Sequence, residues 1–416
     1  MTDTTLPEIA PWQNWLNNER FDTRHVIPHS EAEVLDIVNL ARSRSENVRV
    51  VGTGHSSSPL CRNEGFLISL DNLQGVISGD TERGRAVVHA GTKINSLGLP
   101  LWERGFSLTN QGEIDRQAIA GAIGTGTHGT GLQLKNISSA LTRARIVTGT
   151  GKIIEIDESS PDHLAAARVS LGMLGVFTEI ELAVSPAYEL HEWHGFAPFD
   201  VVFPHSLDLA TSHRNFSLLW FPTHQACVNF DTVPEGATDA SDTCFIKIYE
   251  KSGTEVDAGP IAEYGSVRRT ERAYRVYPDD WEPLFYEMEY MMPIDRGLAC
   301  YAASRDVVRE KFPQSHMPVQ LRFVAADDSF LSQNYGRPSA VVSVTAEPGK
   351  IPDGYFETFD ELFTAHGGRP HWGKLHHTSL ERLDDQFPKV ERFREIRREL
   401  DPEGVFLNSY LEPLFA

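Results

Sequence analysis

Cysteine is scarce in this chain of 416 residues: Cys61, Cys227, Cys244 and Cys300 lie far apart, and no two form a CxxC pair. That spacing argues against a zinc site and against a disulfide scaffold, and it suits a reducing, cytoplasmic setting. Long apolar runs are missing as well. No stretch of about 18 uncharged apolar residues occurs, so no membrane-spanning helix is expected. The opening residues, MTDTTLPEIAPW, hold no basic segment followed by an apolar one, so no secretory signal is expected. Positive charge is in deficit, with 38 Lys and Arg against 58 Asp and Glu. The resulting net charge of −20 repels phosphate backbones and speaks against a nucleic-acid partner.

What is present is a globular composition, 40% hydrophobic and 23% charged, on a chain too long for one ordinary core. The first 190 or so residues read as mixed α/β. Residues 24–28 suggest a strand. Ser30 is placed to cap a helix, with Glu33 completing a capping box and Val34, Ile37, Val38 and Ala41 at helical spacing. Residues 48–51 follow as a buried strand, 66–70 and 85–90 as further strands, and 95–104 as a helix stopped by Gly105. Residues 143–148 and 152–156 flank a glycine turn as a hairpin. Residues 164–169 read as a short helix, and 178–184 alternate as a strand. Beyond Pro186, aromatic residues and histidines become common. Strands are expected at 217–221, 226–230, 245–249, 319–323 and 340–344, and a charged amphipathic helix at 389–400.

Two glycine-rich stretches carry the chemistry. In VVGTGHSSS an apolar run ends in Gly52-Thr53-Gly54, followed by His55 and three serines. In GTGTHG, residues 124–129 match GxGxxG, yet no clear helix and no acid in residues 140–150 follow, which opposes a nicotinamide-binding Rossmann unit. Gly151-Lys152 is no phosphate loop, because Ile153 replaces Ser or Thr, and no nucleophile elbow surrounds Ser56, Ser57 or Ser58. Without Cβ atoms, turns at 52–58 and 124–131 can turn amides inward and cradle a diphosphate without basic residues, although ordinary tight turns would look the same.

These stretches, with SLGMLGVFTEIEL, resemble the flavin-binding domain of the vanillyl-alcohol-oxidase superfamily. WQNW near the start, LWFP at 219–222, PVQLRF at 318–323, GGRPHWGK at 367–374 and LDPEGVFLNSYLE at 400–412 narrow the likeness. Together they resemble the sugar-1,4-lactone oxidases, with alditol oxidases as near relatives. The resemblance implies an α+β fold: a two-subdomain, PCMH-type FAD-binding domain over residues 1–186, a cap domain over 187–378 built on a large antiparallel sheet with flanking helices, and a segment over 379–416 returning to the FAD domain. It implies FAD joined covalently to His55 through the flavin 8α-methyl group. It also implies FAD contacts from Val51, Gly52, Thr53, Gly54, Ser56, Ser57, Gly112, Gly121, Thr125, Gly126, Thr127, His128, Val176 and His371. No cysteine lies near 174–177, so a second covalent bond is not expected. The four histidines at 366, 371, 376 and 377 suggest a metal only weakly, since no carboxylate stands at a familiar spacing; no metal is expected, and His376 and His377 read as surface residues.

Alcohol oxidation by a flavin wants cations where negative charge develops, and Arg322 and Lys374 match the family's two. Strand alternation puts Gln320 and Arg322 on one face, opposite Val319, Leu321 and Phe323. The chain departs from the family at Gln320, where Glu is usual, and at Glu113, where alditol oxidases carry Ser. An amide cannot act as a base, so the carboxylate is read as relocated from position 320 to Glu113. The expected activity is oxidation of an aldono-1,4-lactone (L-gulono-, L-galactono- or D-arabinono-) with O2 reduced to H2O2. Alditol oxidation and a lactone dehydrogenase with another acceptor are the alternatives, and a monomer or small homo-oligomer is expected.

Overall fold

The computed structural model describes residues 7–279 and 284–416. Four strands, β1 (Ala10–Gln13), β2 (Arg20–Val26), β3 (Val48–Val51) and β4 (Phe66–Ser69), form a sheet in the order β1-β2-β4-β3. Helix α1 (Glu31–Ser43) joins β2 to β3. Ser30 Oγ accepts from Glu33 N–H at 3.2 Å, and the Glu33 carboxylate returns to His29 N–H at 2.8 Å, one residue earlier than in a standard capping box. Val34, Ile37, Val38 and Ala41 are buried, as their spacing requires.

A second sheet takes β5 (Val76–Asp80), β6 (Arg85–His89), β8 (Leu141–Val147), β9 (Ile153–Asp157) and β10 (Val176–Ala183) in the order β5-β6-β10-β8-β9. The short β7 (Phe106–Ser107) and β11 (Ser185–Pro186) pair as a ribbon. Helix α2 (Ile94–Trp102) follows β6, and α3 (Ile119–Thr125) runs into the second glycine stretch. The reading of 124–131 as one turn needs correcting. Its first residues close α3, and Gly126, at φ +78°, ends that helix in the left-handed conformation glycine tolerates.

The remaining strands are β12 (Glu189–Pro198), β13 (Asn215–Phe221), β14 (Thr243–Lys251), β15 (Gly265–Arg272), β16 (Tyr286–Pro293), β17 (Val319–Val324), β18 (Ser339–Ala346) and β19 (Arg369–Pro370). They form an eight-stranded antiparallel sheet in the order β15-β12-β14-β13-β17-β18-β16-β19. The architecture is α+β, as the sequence implies. One expected strand is a helix: His224–Asn229 is helical because Thr223 Oγ1 caps it through Ala226 N–H at 3.2 Å, while Ala226 and Cys227 pack inward against Leu219 and Phe221.

Two large cores result. One gathers Val26 through Val184 together with Trp372 and the C-terminal residues Leu383 to Phe415. The other lies on one face of the eight-stranded sheet, where Trp220, Ile246, Met288, Tyr290, Leu321 and Val342 pack under the helices that cover it. The four cysteines are free and buried. No helix among the described residues is long and apolar enough to cross a membrane.

Candidate active site

Two cavities adjoin at Gln117, which lines both. The first is a cleft open to solvent. Val51, Gly52, Thr53, Gly54, His55 and Ser56 line one side; Gly121, Gly124 and Thr125 of α3 line another; Leu171, Gly172, Gly175 and Phe177 close its far end. Glycine shapes this cleft. A Cβ at Gly52 would stand 2.9 Å from that of Ala118, while at Gly121 or Gly124 it would meet no protein atom within 4 Å and would project into the cleft. Contrary to the reading of a cradle without basic residues, Arg49 and Lys93 also line it. Both are committed elsewhere. Arg49 donates to the carbonyls of Leu60, Leu171 and Phe406, and burial brings its pKa down to about 10; Lys93 pairs with Asp71 at 2.6 Å. A long ligand with a diphosphate at its middle therefore fits, met chiefly by exposed backbone.

The histidine turn is held from two sides. Gly54 has φ +71°, and its carbonyl accepts from Trp15 N–H at 3.0 Å. Ser57 N–H donates to Gly373 O at 2.9 Å, and Ser58 Oγ donates to Trp372 O at 2.5 Å. Burial, then the Lys374 and Arg116 cations, lowers the His55 pKa to about 4, so its imidazole is neutral near pH 7.

The second cavity lies over the other face of the eight-stranded sheet. Register decides what that face carries. Gln320 of β17 pairs across Ser343 of β18 with Glu289 of β16, and Lys247 of β14 is opposite His194 of β12. The face turned from the helices thus bears Glu192, His194, Lys247, Glu287, Glu289, Gln320 and Arg322, all of which line the cavity. Gly112, Glu113, Thr127, His128, His371 and Lys374 close it from the other side.

The charges on Glu113, Lys247, Glu287, Glu289, Arg322 and Lys374 are paired. Glu113 Oε2 accepts from Gln320 Nε2 at 3.0 Å, and its Oε1 from Lys247 Nζ at 2.9 Å. Lys247 also reaches Asp279 at 2.7 Å. Burial alone would raise the Glu113 pKa, but the Lys247 and Arg322 cations outweigh it and hold the carboxyl at about 2. Glu289 is buried between the Arg322 guanidinium, which it binds, and His128 Nε2 at 3.0 Å; burial disfavours its charge, yet these partners keep its pKa well below the carboxylate range. His128 Nδ1 lies 2.8 Å from the Gly129 carbonyl, so the ring is held at both nitrogens and its orientation is fixed. Lys374 pairs with Glu287.

Ligand atoms of His128, Glu289 and His371 lie within 4.8 Å of one another, the arrangement a metal would want. The bonding opposes one. His371 Nδ1 accepts from Gly373 N–H at 3.0 Å, and burial pulls its pKa down to about 3, so the neutral ring carries its proton on Nε2 and offers no lone pair there. Glu289 already binds Arg322. His376, read as a surface residue, is instead half-buried and bonded through Nε2 to Tyr410 Oη at 2.9 Å, with burial lowering its pKa to about 4. His377 is exposed.

The sequence-derived residues divide between the cavities. Val51 to Ser56, Gly121 and Thr125 line the cleft; Gly112, Glu113, Thr127, His128, Gln320, Arg322, His371 and Lys374 line the second cavity. Thr127 Oγ1 is buried there without a hydrogen-bond partner among the described residues, and a ligand atom would satisfy it. Ser57, Gly126 and Val176 line neither: Ser57 bonds Gly373, Gly126 packs against Gln333, and Val176 is buried in β10 between the lining residues Gly175 and Phe177. Sequence reading missed Lys247, Asp279, Glu287 and Glu289. Acids alternating with Met288 and Tyr290 in YEMEY, and a lysine between Ile246 and Ile248, were the available signal.

Residues 255–414 match a family described as D-arabinono-1,4-lactone oxidase, and residues 23–157 match an FAD binding domain. The chain is 32% identical to the L-gulono-1,4-lactone dehydrogenase of Mycobacterium tuberculosis, over 96% of this chain and 97% of that one. It is 28% identical to the L-gulonolactone oxidase of Bos taurus, over 93% and 94% respectively. A solved solvent-stable cholesterol oxidase superposes with a TM-score of 0.80 over 98% of both chains at 14% identity, a likeness of fold.

Proposed function

Because the chain belongs to the sugar-1,4-lactone oxidase family of FAD-dependent enzymes, we propose that it oxidises the C2 hydroxyl of an aldono-1,4-lactone and passes the electrons to O2, releasing H2O2. FAD, when bound, supplies the hydride acceptor and the route to oxygen. The observation that carries the reading is the Glu113–Gln320–Arg322 group in a cavity adjoining the cleft.

The chain's own residues divide the remaining work. Glu113, held as a carboxylate, accepts the hydrogen bond of a substrate hydroxyl and orients it; a group with its pKa near 2 is a weak base. Gln320 fixes that carboxylate through its amide N–H. Arg322 and Lys374 provide positive charge where the substrate oxygen and the cofactor become more negative. His55 carries the cofactor covalently. The paired charges suit a neutral, hydroxyl-rich substrate, because no anionic group of the ligand is needed to balance them.

Use of O2 is supported by Gly112. A methyl there would stand 3.1 Å from the His128 carbonyl oxygen and crowd a stretch of cavity wall where glycine leaves room. The dehydrogenase name of the Mycobacterium relative keeps a second acceptor in view. Both points are tested together. The three lactones named above and a set of alditols should be compared by peroxide release, and reduced enzyme mixed with oxygenated buffer. Lactones should be preferred, and reoxidation should be faster than turnover with an artificial acceptor. Gly112→Ala should slow reoxidation while leaving anaerobic reduction by substrate largely intact. Preference for alditols, or wild-type reoxidation slower than artificial-acceptor turnover, overturns the respective part.

A further inference from the structure

Residues 12–18 reach the histidine turn from outside the cleft. Trp15 does not line the cleft; its indole stacks on His55, with ring centroids 4.8 Å apart and planes 22° apart. The imidazole thus has Trp15 on one side and lines the cleft with another. The same segment grips the turn's backbone. Trp15 N–H donates to Gly54 O at 3.0 Å, Asn14 Nδ2 to Ser56 O at 2.9 Å and Asn18 Nδ2 to Ser57 O at 2.7 Å. Ser57 N–H is held from the opposite side by Gly373 O. The backbone is therefore fixed without any help from the indole, and what the indole adds is orientation of the imidazole ring.

We infer that Trp15 is a positioning residue for covalent attachment of FAD at His55, holding the imidazole in one orientation and shielding one of its faces from water. The inference rests on the covalent reading proposed above. In that step a bond forms between a His55 ring nitrogen and the 8α carbon of the flavin. The ring N–H hydrogen and one methyl hydrogen are lost, their two electrons pass through the flavin to O2, and H2O2 is formed. Stacking leaves the energy of that bond unchanged and raises the fraction of time the nitrogen spends aimed at its target. An aromatic pair of this kind shifts such a population by about tenfold.

The test uses full-length protein prepared without flavin, given FAD and O2, and sampled over time for flavin that stays with acid-precipitated protein. Trp15→Leu should attach FAD about tenfold more slowly than wild type, and Trp15→Phe should restore most of the rate. In a His55→Ala background, where no bond forms, Trp15→Leu should leave FAD affinity within about threefold, since an orienting role does not touch reversible binding and a merely structural role would lower it. Trp15→Met carries the same comparison if Trp15→Leu does not fold. Equal attachment rates in wild type and the ringless variants overturn the inference alone. A colourless wild-type pellet overturns the covalent reading beneath it, and the inference with it.

Discussion

At the scale of single residues, the departure at positions 113 and 320 is the most informative. The two side chains, 207 positions apart in the chain, meet at 3.0 Å, so a carboxylate supplied by one position serves the space beside the other. Glu113→Gln should therefore reduce turnover by about 10²–10³, the range for losing one group that orients a reacting centre, while Gln320→Ala should cost far less. Gln320→Glu should help little, because two adjoining carboxylates repel and one stays protonated. Steady-state kinetics of the three variants decide this; strong activation by Gln320→Glu with a silent Glu113→Gln would end the relocation idea. His371 gives a pH prediction. Its folded pKa of about 3 lies below the unfolded value of about 6.5, so as pH falls the unfolded chain takes up the proton first. The stability that depends on a neutral His371 is whole above about pH 6.5 and is lost progressively down to about pH 3, at up to about 1.4 kcal/mol per pH unit. His371→Asn should flatten the acid limb by one proton's share, read from urea unfolding at pH 7, 6 and 5; an unchanged slope would place that proton elsewhere.

At the scale of elements, periodicity explains which parts of the site are legible in the sequence. The alternation in VQLRF puts Gln320 and Arg322 on one face, and both line the cavity. The same rule applied to residues 243–251 and 286–293 exposes Lys247, Glu287 and Glu289, whose chemistry is hidden inside strands rich in Ile and Met. Residues 226–230 mislead because a capped turn of helix and a short strand share an apolar composition, and the Thr223 cap decides between them. Helix α3 offers a test in which fold and ligand separate. Gly121 lies within the helix, and a Cβ there would meet no atom of the described residues within 4 Å beyond its own helix. Gly121→Ala should keep or raise the melting temperature of the flavin-free protein, since alanine favours helix by up to about 1 kcal/mol, yet lower FAD affinity at least about tenfold. Thermal melts and FAD titration separate the two effects; unchanged affinity would mean the cleft beside α3 is not used.

At the scale of the whole molecule, the chain's end completes its beginning. Asn408 donates to the carbonyls of Pro59 at 3.0 Å and Arg62 at 2.9 Å, while its own carbonyl accepts from Leu411 N–H at 2.9 Å. The residues it grips follow the histidine turn directly. Asn408→Ala removes the amide from these part-buried carbonyls, of which Pro59 keeps the Arg62 N–H, and should cost about 1 kcal/mol, visible as a lower urea midpoint with unchanged slope. A stability equal to wild type would show that water replaces the amide without loss. By itself the sequence determined the local devices: the Ser30 cap, the glycine turn that presents His55, and the alternation that places Gln320 and Arg322 on one face. These depend on near neighbours in the chain, and a linear pattern carries them. Only the tertiary structure decided that Glu113 meets Gln320 and Lys247, that Glu289 ties Arg322 to His128, that His371 offers no lone pair to a metal, and that Trp15 backs His55. Each of those contacts is set by sheet register and by the packing of segments far apart in the chain, and such distances have no counterpart in residue spacing.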